Sequence, residues 1–403
     1  MLRRVAATGV DLDSVYARTL QRIREQRGDR SRLGIEVLMW VSHAERPLRI
    51  DELRHALAVD TERTDLDPEN IRPEDIVLGS CLGLALVDSQ TSTLRLIHYT
   101  LQEYLSSRGI LPDAHETLAQ TCLAYLNYEQ VKGLPPDRIP NPRGMPFLEY
   151  SSFYWGSHAK MGLSDRSKSL ALELLTRYDN HISATLLFSQ MQSYDSPPVI
   201  GHLFSGLHCA SYFGIIEAVA ALIEMKGYDV NQRDCKGFTP LRWAAQRGNE
   251  AVVGLLLTRD DVSPDKADNR GQTPLWRACL KGHEGIVRLL LTRDDVNPAK
   301  PDNLGRTPLL IAYMYGREVV VRLLLTRDDV NPDKQDNYGR TLLWWASGNG
   351  KTEVVVQLLT RGDINPETPD NIGRTPLRIA GMHGHHEIVA ILKRRIAGTS
   401  GAD

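Results

Sequence analysis

Apolar positions follow two rhythms along this chain. Over roughly its second half, short apolar runs at helical spacing return every 34 residues. One unit shows how. Thr273-Pro274 suits a helix start, because threonine can accept from a free backbone N–H and proline needs no partner at the first helical position. Leu275 and Ala278 then face inward, and Gly282 closes the short helix, since glycine enters the left-handed conformation without steric cost. A second helix, "EGIVRLLLTR", places Ile286, Val287, Leu289 and Leu290 at helical spacing. "DDVNPAKPDNLG" then breaks the pattern with proline, Asp-Asn and glycine, which are turn residues. Each unit predicts a helix, a tight loop, a second helix and an extended finger.

Six copies are visible. "GFTPL" begins at Gly237, "GQTPL" at Gly271, "GRTPL" at Gly305, "GRTLL" at Gly339 and "GRTPL" at Gly373. A second glycine keeps the same beat at Gly214, Gly248, Gly282, Gly316, Gly350 and Gly384, so a degenerate first copy starts near Leu203. The expected units are 203–236, 237–270, 271–304, 305–338, 339–372 and 373–398, within an array at 201–398. Neither helix of a unit can bury its apolar side alone, so stacking must supply one continuous core. The Thr-Pro-Leu opening, the loop glycine and the Val-Asn after helix two resemble the ankyrin repeat. A 34-residue period alone would also suit tetratricopeptide repeats. The chain departs from the usual pattern in three ways: one aspartate replaces Gly-Ala in "TRDDV", the finger is about two residues longer, and Leu342 stands in place of proline.

The first half has a different rhythm. Ile35, Leu38, Met39 and Val41 predict an apolar helix ending near Arg46-Pro47, and a second helix begins at Ile50-Asp51 with Leu53, Ala56 and Leu57 on one face. Two short apolar runs, Leu84–Val87 and Leu94–Ile97, flank a polar turn and predict a hairpin followed by a helix. Helices followed by a hairpin give a winged-helix layout for residues 1–110. Residues 111–200 read as a helical connector, with apolar segments "TLAQTCLAYLNY" and "SLALELLTRY". Within it "KGLPPDRIPNPRGMP" predicts an exposed loop, and "SYDSPPVIGH" the join to the array. The fold class expected is mainly α.

"DLDSVYARTLQRI", "ERPLRIDELRHALAV", "LRLIHYTLQEYLS" and "FLEYSSFYWGSHAK" together resemble the region between the NTPase and the ankyrin array of fungal NACHT–ankyrin proteins, signalling NTPases of the STAND class. The resemblance implies a NACHT domain upstream of Met1, a chain that forms the C-terminal part of such a receptor, and a winged-helix-like module that regulates it.

Composition narrows the function classes. The chain has 403 residues, 42% hydrophobic and 24% charged, with a formal net charge of −2. That balance is ordinary for globular protein and offers no bulk positive field for nucleic acid or an anionic membrane. No apolar run reaches the roughly 18–20 residues of a membrane helix. The start, "MLRRVAATGVDLDS", lacks a signal-peptide core. Five scattered cysteines without a CxxC pair suit a reducing compartment, and the cytoplasm is the expected location.

Candidate chemistry is sparse. "SGNGKTEVVV" ends in Gly350-Lys351-Thr352, but a phosphate-binding loop needs its first glycine at position 345, where Trp345 stands, and a preceding strand. Gly350 also falls on the repeat beat, so a loop between two repeat helices is the expected reading. "DLDPENIRPEDI" is similar to a calcium loop but has Asn70 and Ile76 where the sharp turn and bidentate ligand belong, so it reads as a solvated acidic loop. "MHGHH" lacks cysteine or carboxylate partners for a structural metal. "IDELRHALAV" is too acidic to track phosphates. No nucleophile–base pattern is present, and His98 reads as a structural histidine. No enzyme activity, cofactor, metal or nucleic-acid partner is expected.

The expected function is protein binding through the concave surface of finger tips and first helices. That surface comprises Phe238, Arg247, Arg270, Gln272, Lys281, Leu304, Arg306, Met314, Tyr315, Tyr338, Arg340, Asn349, Ile372, Arg374, Met382 and His383. It mixes arginine, tyrosine and large apolar side chains, the types enriched in interfaces. Any one of them could instead pack between neighbouring fingers. The other expectation is a regulatory fragment that docks on a NACHT NTPase through the winged-helix-like module.

Overall fold

In the computed structural model, residues 12–107, 109–136, 144–191 and 203–399 are described. The join expected at 193–202, the middle of the Pro-rich loop (137–143) and the first eleven residues lie outside them. The chain divides into two compact units, Met1–Lys226 and Gly227–Asp403.

The first unit opens with α1 (Leu12–Arg24), α2 (Arg30–His43), α3 (Ile50–Leu57) and α4 (Glu74–Ser80). An antiparallel hairpin follows, β1 (Ala85–Val87) on β2 (Leu94–Leu96), with Leu86 opposite Arg95, and then α5 (Tyr99–Ser107). Tyr16, Leu20 and Ile23 of α1 close on Leu38, Leu84, Leu101, Tyr104 and Leu105, and all eight are buried. The apolar period therefore becomes a core shared by helices and hairpin. α3 starts on a charged cap: Glu52 is fully buried, accepts from the Arg49 amide at 2.7 Å and is clasped by the Arg46 guanidinium at 2.7 and 2.8 Å. A carboxylate at a helix N-terminus also meets the favourable end of the helix dipole. The acidic stretch from Asp65 is more ordered than a loop. It forms a 3-10 turn, Pro68–Asn70, capped by Asp67, and α4 begins at Glu74. Pro73 sits just before that helix, where its missing N–H costs nothing.

The rest of the first unit is helical: α6 (Ala114–Leu126), α7 (Glu129–Lys132), α8 (Leu148–Ala159), α9 (Asp165–Leu175) and α10 (Ile182–Gln190). The degenerate first repeat, α11 (Gly206–Phe213) and α12 (Ile216–Glu224), packs within this unit too, which ends at Lys226. Aromatic packing explains why. Phe213 lies against Trp155 at 5.5 Å between ring centroids, and Phe204 against Tyr178 and Phe188 at 6.2 and 5.8 Å.

The second unit is five repeats, each a short first helix and a second helix: α13 (Pro240–Arg247) and α14 (Glu250–Leu257), α15 (Pro274–Lys281) and α16 (Glu284–Leu290), α17 (Pro308–Met314) and α18 (Glu318–Leu325), α19 (Leu342–Gly348) and α20 (Thr352–Leu359), α21 (Pro376–Met382) and α22 (His386–Thr399). Every first helix is capped by threonine: Thr239, Thr273, Thr307, Thr341 and Thr375 each accept from the backbone N–H three residues on. Such a cap contributes about 1 kcal/mol. Thr341 does so even though Leu342 replaces the proline.

Candidate partner-binding face

The fingers are built around five recurrent aspartates, Asp234, Asp268, Asp302, Asp336 and Asp370, all buried. In each, one carboxylate oxygen accepts two backbone amides. At Asp336 these are the amides of Tyr338 (2.9 Å) and Arg340 (3.0 Å). Neighbouring fingers are joined by an asparagine ladder. Asn303, Asn337 and Asn371 donate through Nδ2 to the carbonyls of Asn269, Asn303 and Asn337 at 3.2, 2.9 and 2.9 Å. The glycine at the bend is fixed by this packing. Gly271 has φ +77°, and a Cβ there would sit 2.4 Å from Asn303 Oδ1. Finger geometry is thus held by backbone satisfaction, and only the tip residues project from it.

The "TRDDV" departure also has a structural role. Arg259, Arg293, Arg327 and Arg361 pair with Asp261, Asp295, Asp329 and Asp363 two residues on, at 2.7–2.9 Å. Arg293 and Arg361 reach back to the Leu257 and Leu325 carbonyls at the end of the preceding second helix, at 3.0 and 2.7 Å. These ion pairs hold the carboxyls of Asp261, Asp295, Asp329 and Asp363 below the usual carboxylate range.

The residues expected to bind a partner separate into two sets. Leu304, Met314, Tyr315, Tyr338, Ile372 and Met382 are exposed, up to 58% for Tyr338 and 71% for Ile372. They make up six of the eight exposed large apolar side chains described in this unit. The other two, Val319 and Val356, lie on second helices. Arg247, Arg270, Lys281 and Asn349 are exposed on the same tips and helix ends. The remaining members are engaged within the fold. Arg306, Arg340 and Arg374 pair with Asp302, Asp336 and Asp370 at 2.6, 2.9 and 2.7 Å. Gln272 is only 5% exposed. The Phe238 ring is half-buried beneath the Arg242 guanidinium, 3.2 Å from its centroid. His383 donates through Nδ1 to the Gly348 carbonyl at 2.6 Å, and His385 through Nε2 to the same oxygen at 3.1 Å. Two of the three "MHGHH" histidines are thus occupied by a helix end, and no metal-holding cluster of histidine, cysteine or carboxylate occurs among the described residues.

Arg242 was not legible as a core residue. It is fully buried in the first helix of its repeat and ion-paired to an equally buried Asp268 at 3.1 Å. Burial, and then the neighbouring Arg277 guanidinium, bring it down to about 9, so it stays charged at neutral pH. An arginine on an apolar helix reads as an exposed face.

Two amides of the Gly350-Lys351-Thr352 stretch are taken up within the repeat. Lys351 N–H donates to the Ala346 carbonyl at 3.0 Å and Thr352 N–H to Gly350 at 3.2 Å, and the Thr352 hydroxyl reaches Glu387. No helix among the described residues is long and apolar enough to cross a membrane.

Two family models match the chain. The family described as "Ankyrin repeats (3 copies)" matches residues 186–268, 207–300, 255–336 and 321–400, more than half of the chain. The family described as "GPI inositol-deacylase, winged helix domain" matches residues 17–115. Similar solved structures include an ankyrin repeat domain from Acinetobacter baumannii AYE (29% identity, 47% of this chain and 96% of that one, TM-score 0.43). Others are the ankyrin repeat protein EF0377 (26%, 46% and 96%, TM-score 0.43) and the ankyrin repeat domain of Bcl-3, a member of the IkappaB family (27%, 51% and 87%, TM-score 0.44). No curated protein matches the chain. With a winged-helix domain over residues 17–115 and repeats over more than half its length, the chain belongs to the ankyrin-repeat family of protein–protein interaction scaffolds.

Proposed function

We propose that the chain binds a protein partner, without catalysis, through the tips of its fingers and the ends of its first helices, in a STAND-type signalling or self/non-self recognition context in the cytoplasm. The observation that carries this reading is the exposure of Leu304, Met314, Tyr315, Tyr338, Ile372 and Met382 at recurrent finger-tip and helix-end positions of the second unit. Exposed apolar side chains scattered singly need no explanation, but six at recurrent register positions support an interaction surface. Of the sixteen residues named from sequence, the exposed ones form the contact set, while Arg306, Arg340 and Arg374 shape the fingers.

The test is partner capture with Lys281→Ala, Tyr315→Ala, Tyr338→Ala and Ile372→Ala combined, after circular dichroism shows that the variant is folded. These four avoid the finger ion pairs. Loss of the partners held by the parent chain is expected; full retention by the folded variant would overturn the surface.

A second reading is favoured by the winged-helix match at residues 17–115, a domain type associated with NACHT NTPases. In it the module docks on such an NTPase and controls nucleotide turnover that the chain does not perform. Adding the purified chain to a NACHT domain should then change its ATPase rate, and an unchanged rate argues against the regulatory role.

A further inference from the structure

We infer that the finger-and-first-helix face of the second unit takes an extended acidic–apolar peptide segment, with its acidic end over the second and third repeats and its apolar end over the fourth to sixth. The inference rests on the protein-binding reading and specifies the chemistry of the partner.

The tip residue just before each finger glycine changes character along the array. Lys236 and Arg270 come first, then Leu304, Tyr338 and Ile372. At the ends of the first helices the basic character is lost in the same direction: Arg247 and Lys281 are followed at the same register by Tyr315, Asn349 and His383. One position earlier stand Gln246, Leu280, Met314, Gly348 and Met382. The tips and the helix ends therefore share one basic end, and the opposite end is made apolar by the tips together with Met314, Tyr315 and Met382.

The face also lacks negative charge. The segments 240–248, 274–282, 308–316, 342–350 and 376–384 contain no aspartate or glutamate. In the fingers the only acids from the recurrent aspartate to the threonine cap are Asp234, Asp268, Asp302, Asp336 and Asp370, each buried and accepting backbone amides. Carboxylates instead collect beyond the second helices, in the "TRDD" turns, where Asp261, Asp295, Asp329 and Asp363 are paired. A formal net charge of −2 conceals this division. Arg270 and Lys281 are exposed and make no ion pair among the described residues, so their charge remains available to an anion. At the apolar end, Tyr338 is pre-positioned: the Arg340 guanidinium lies 4.4 Å from its ring centroid and is itself anchored on Asp336. An exposed aromatic held rigid loses little entropy on binding. A nucleic acid would suit the basic end only, since its phosphates have no complement in Leu304, Ile372 and Met382.

The test uses the full chain and a displayed library of random 16-residue peptides, followed by fluorescence polarisation of enriched sequences. Two folded variants are compared with the parent: Arg270→Glu with Lys281→Glu, and Tyr338→Ser with Ile372→Ser. The expected result is enrichment of peptides carrying an acidic block followed by large apolar residues. Their affinity should fall at least tenfold in each variant, and in the parent it should fall on raising NaCl from 50 to 500 mM. Enriched peptides of another composition that still lose binding in the variants would overturn the acidic–apolar assignment and leave the protein-binding reading standing. Enriched peptides indifferent to both variants, or no enrichment, would overturn both. Tighter binding of a single-stranded oligothymidine than of any enriched peptide would assign the basic end to nucleic acid and overturn the inference.

Discussion

Arg242 and Asp268 meet at 3.1 Å with neither side chain exposed to solvent. The pair spans 26 residues and links the first helix of one repeat to the base of the next finger. Removing two charges from water costs several kcal/mol, which their attraction offsets only when the remaining polar atoms are satisfied. Here Asp268 Oδ1 accepts from the amides of Arg270 and Gln272 at 2.8 and 3.0 Å and Arg242 Nη1 donates to Gln246, while Arg242 Nε is buried without an acceptor, so the offset is incomplete. Truncating one partner strands the other. Arg242→Ala should cost about 3–5 kcal/mol, measured by urea denaturation. Asp268→Ala should cost more, because two finger amides also lose their acceptor. Equal midpoints for the parent and both variants would show that the pair is not load-sharing between repeats.

The finger aspartates and their arginines should differ in importance. Asp336 accepts the Tyr338 and Arg340 amides on one oxygen and the Arg340 guanidinium on the other, at 2.9 Å. Asp336→Ala leaves donors unsatisfied, at about 1–3 kcal/mol for each one that stays buried. Arg340→Ala removes a side chain that is partly solvated, and its ion pair contributes about 1 kcal/mol or less. Hydrogen exchange at the Tyr338 and Arg340 amides should accelerate strongly in the aspartate variant and weakly in the arginine variant. The reverse order would mean that the guanidinium, not the carboxylate, organises the finger.

Much of this architecture is legible because backbone requirements write themselves into sequence. Thr-Pro, the loop glycine and Asp-Asn-x-Gly each answer a cap, a reversal or a bend, so the helix starts and turns of the repeats follow from the letters, and both hairpin strands follow from two short apolar runs around a polar turn. Residues whose role depends on a side-chain partner, whether four positions away or 26 to 37, are less legible. Arg306 and Arg374 share a letter with Arg270, yet two are locked on aspartates and one is exposed. Gln272 occupies the register position of Arg306 but is buried. His383 reads as a surface contact until the Gly348 carbonyl is seen beneath it. The first repeat shows the same limit at a larger scale. Its helices were readable, but the aromatic contacts of Phe204 and Phe213 that place it in the first unit join residues far apart in sequence.

The first unit should lose stability as pH falls below neutrality. His158 is buried, with Nε2 3.0 Å from the Tyr150 hydroxyl and Nδ1 2.9 Å from His115 Nδ1, and the His43 ring flanks His115. Burial first, then His115 and His43, lower His158 from 6.5 to about 3. Burial also lowers His181 to about 4, the Leu126 carbonyl opposing. His181 Nδ1 accepts from the Ser183 amide, a bond that protonation would remove. Both folded values lie below the unfolded one, so the unfolded chain binds more protons in acid. Stability from these groups is full above about pH 6.5 and is lost as pH falls toward the folded values. Each contributes a slope of about 1.4 kcal/mol per pH unit inside its window. Urea midpoints followed by near-ultraviolet circular dichroism should therefore fall between pH 6.5 and 4.5. A flat profile over that range would mean that neither imidazole is held neutral.

The final prediction concerns Gly350-Lys351-Thr352. Gly350 has φ +69°, and a Cβ there would lie 2.7 and 2.8 Å from Cε1 and Nδ1 of the His385 ring. That ring is held on the Gly348 carbonyl. Gly350→Ala must therefore strain the backbone and displace a helix-end contact, a loss of about 1–3 kcal/mol. Lys351 is exposed, and Lys351→Ala should leave stability within about 0.5 kcal/mol. A phosphate loop would behave differently. Its lysine would govern nucleotide affinity, and magnesium-ATP would raise the melting temperature by mass action. The Lys351 and Thr352 amides already donate to the Ala346 and Gly350 carbonyls. Thermal melts of the parent chain should be unmoved by magnesium-ATP at millimolar concentration. A nucleotide-dependent rise that disappears in Lys351→Ala would return this turn to the class of nucleotide-binding loops.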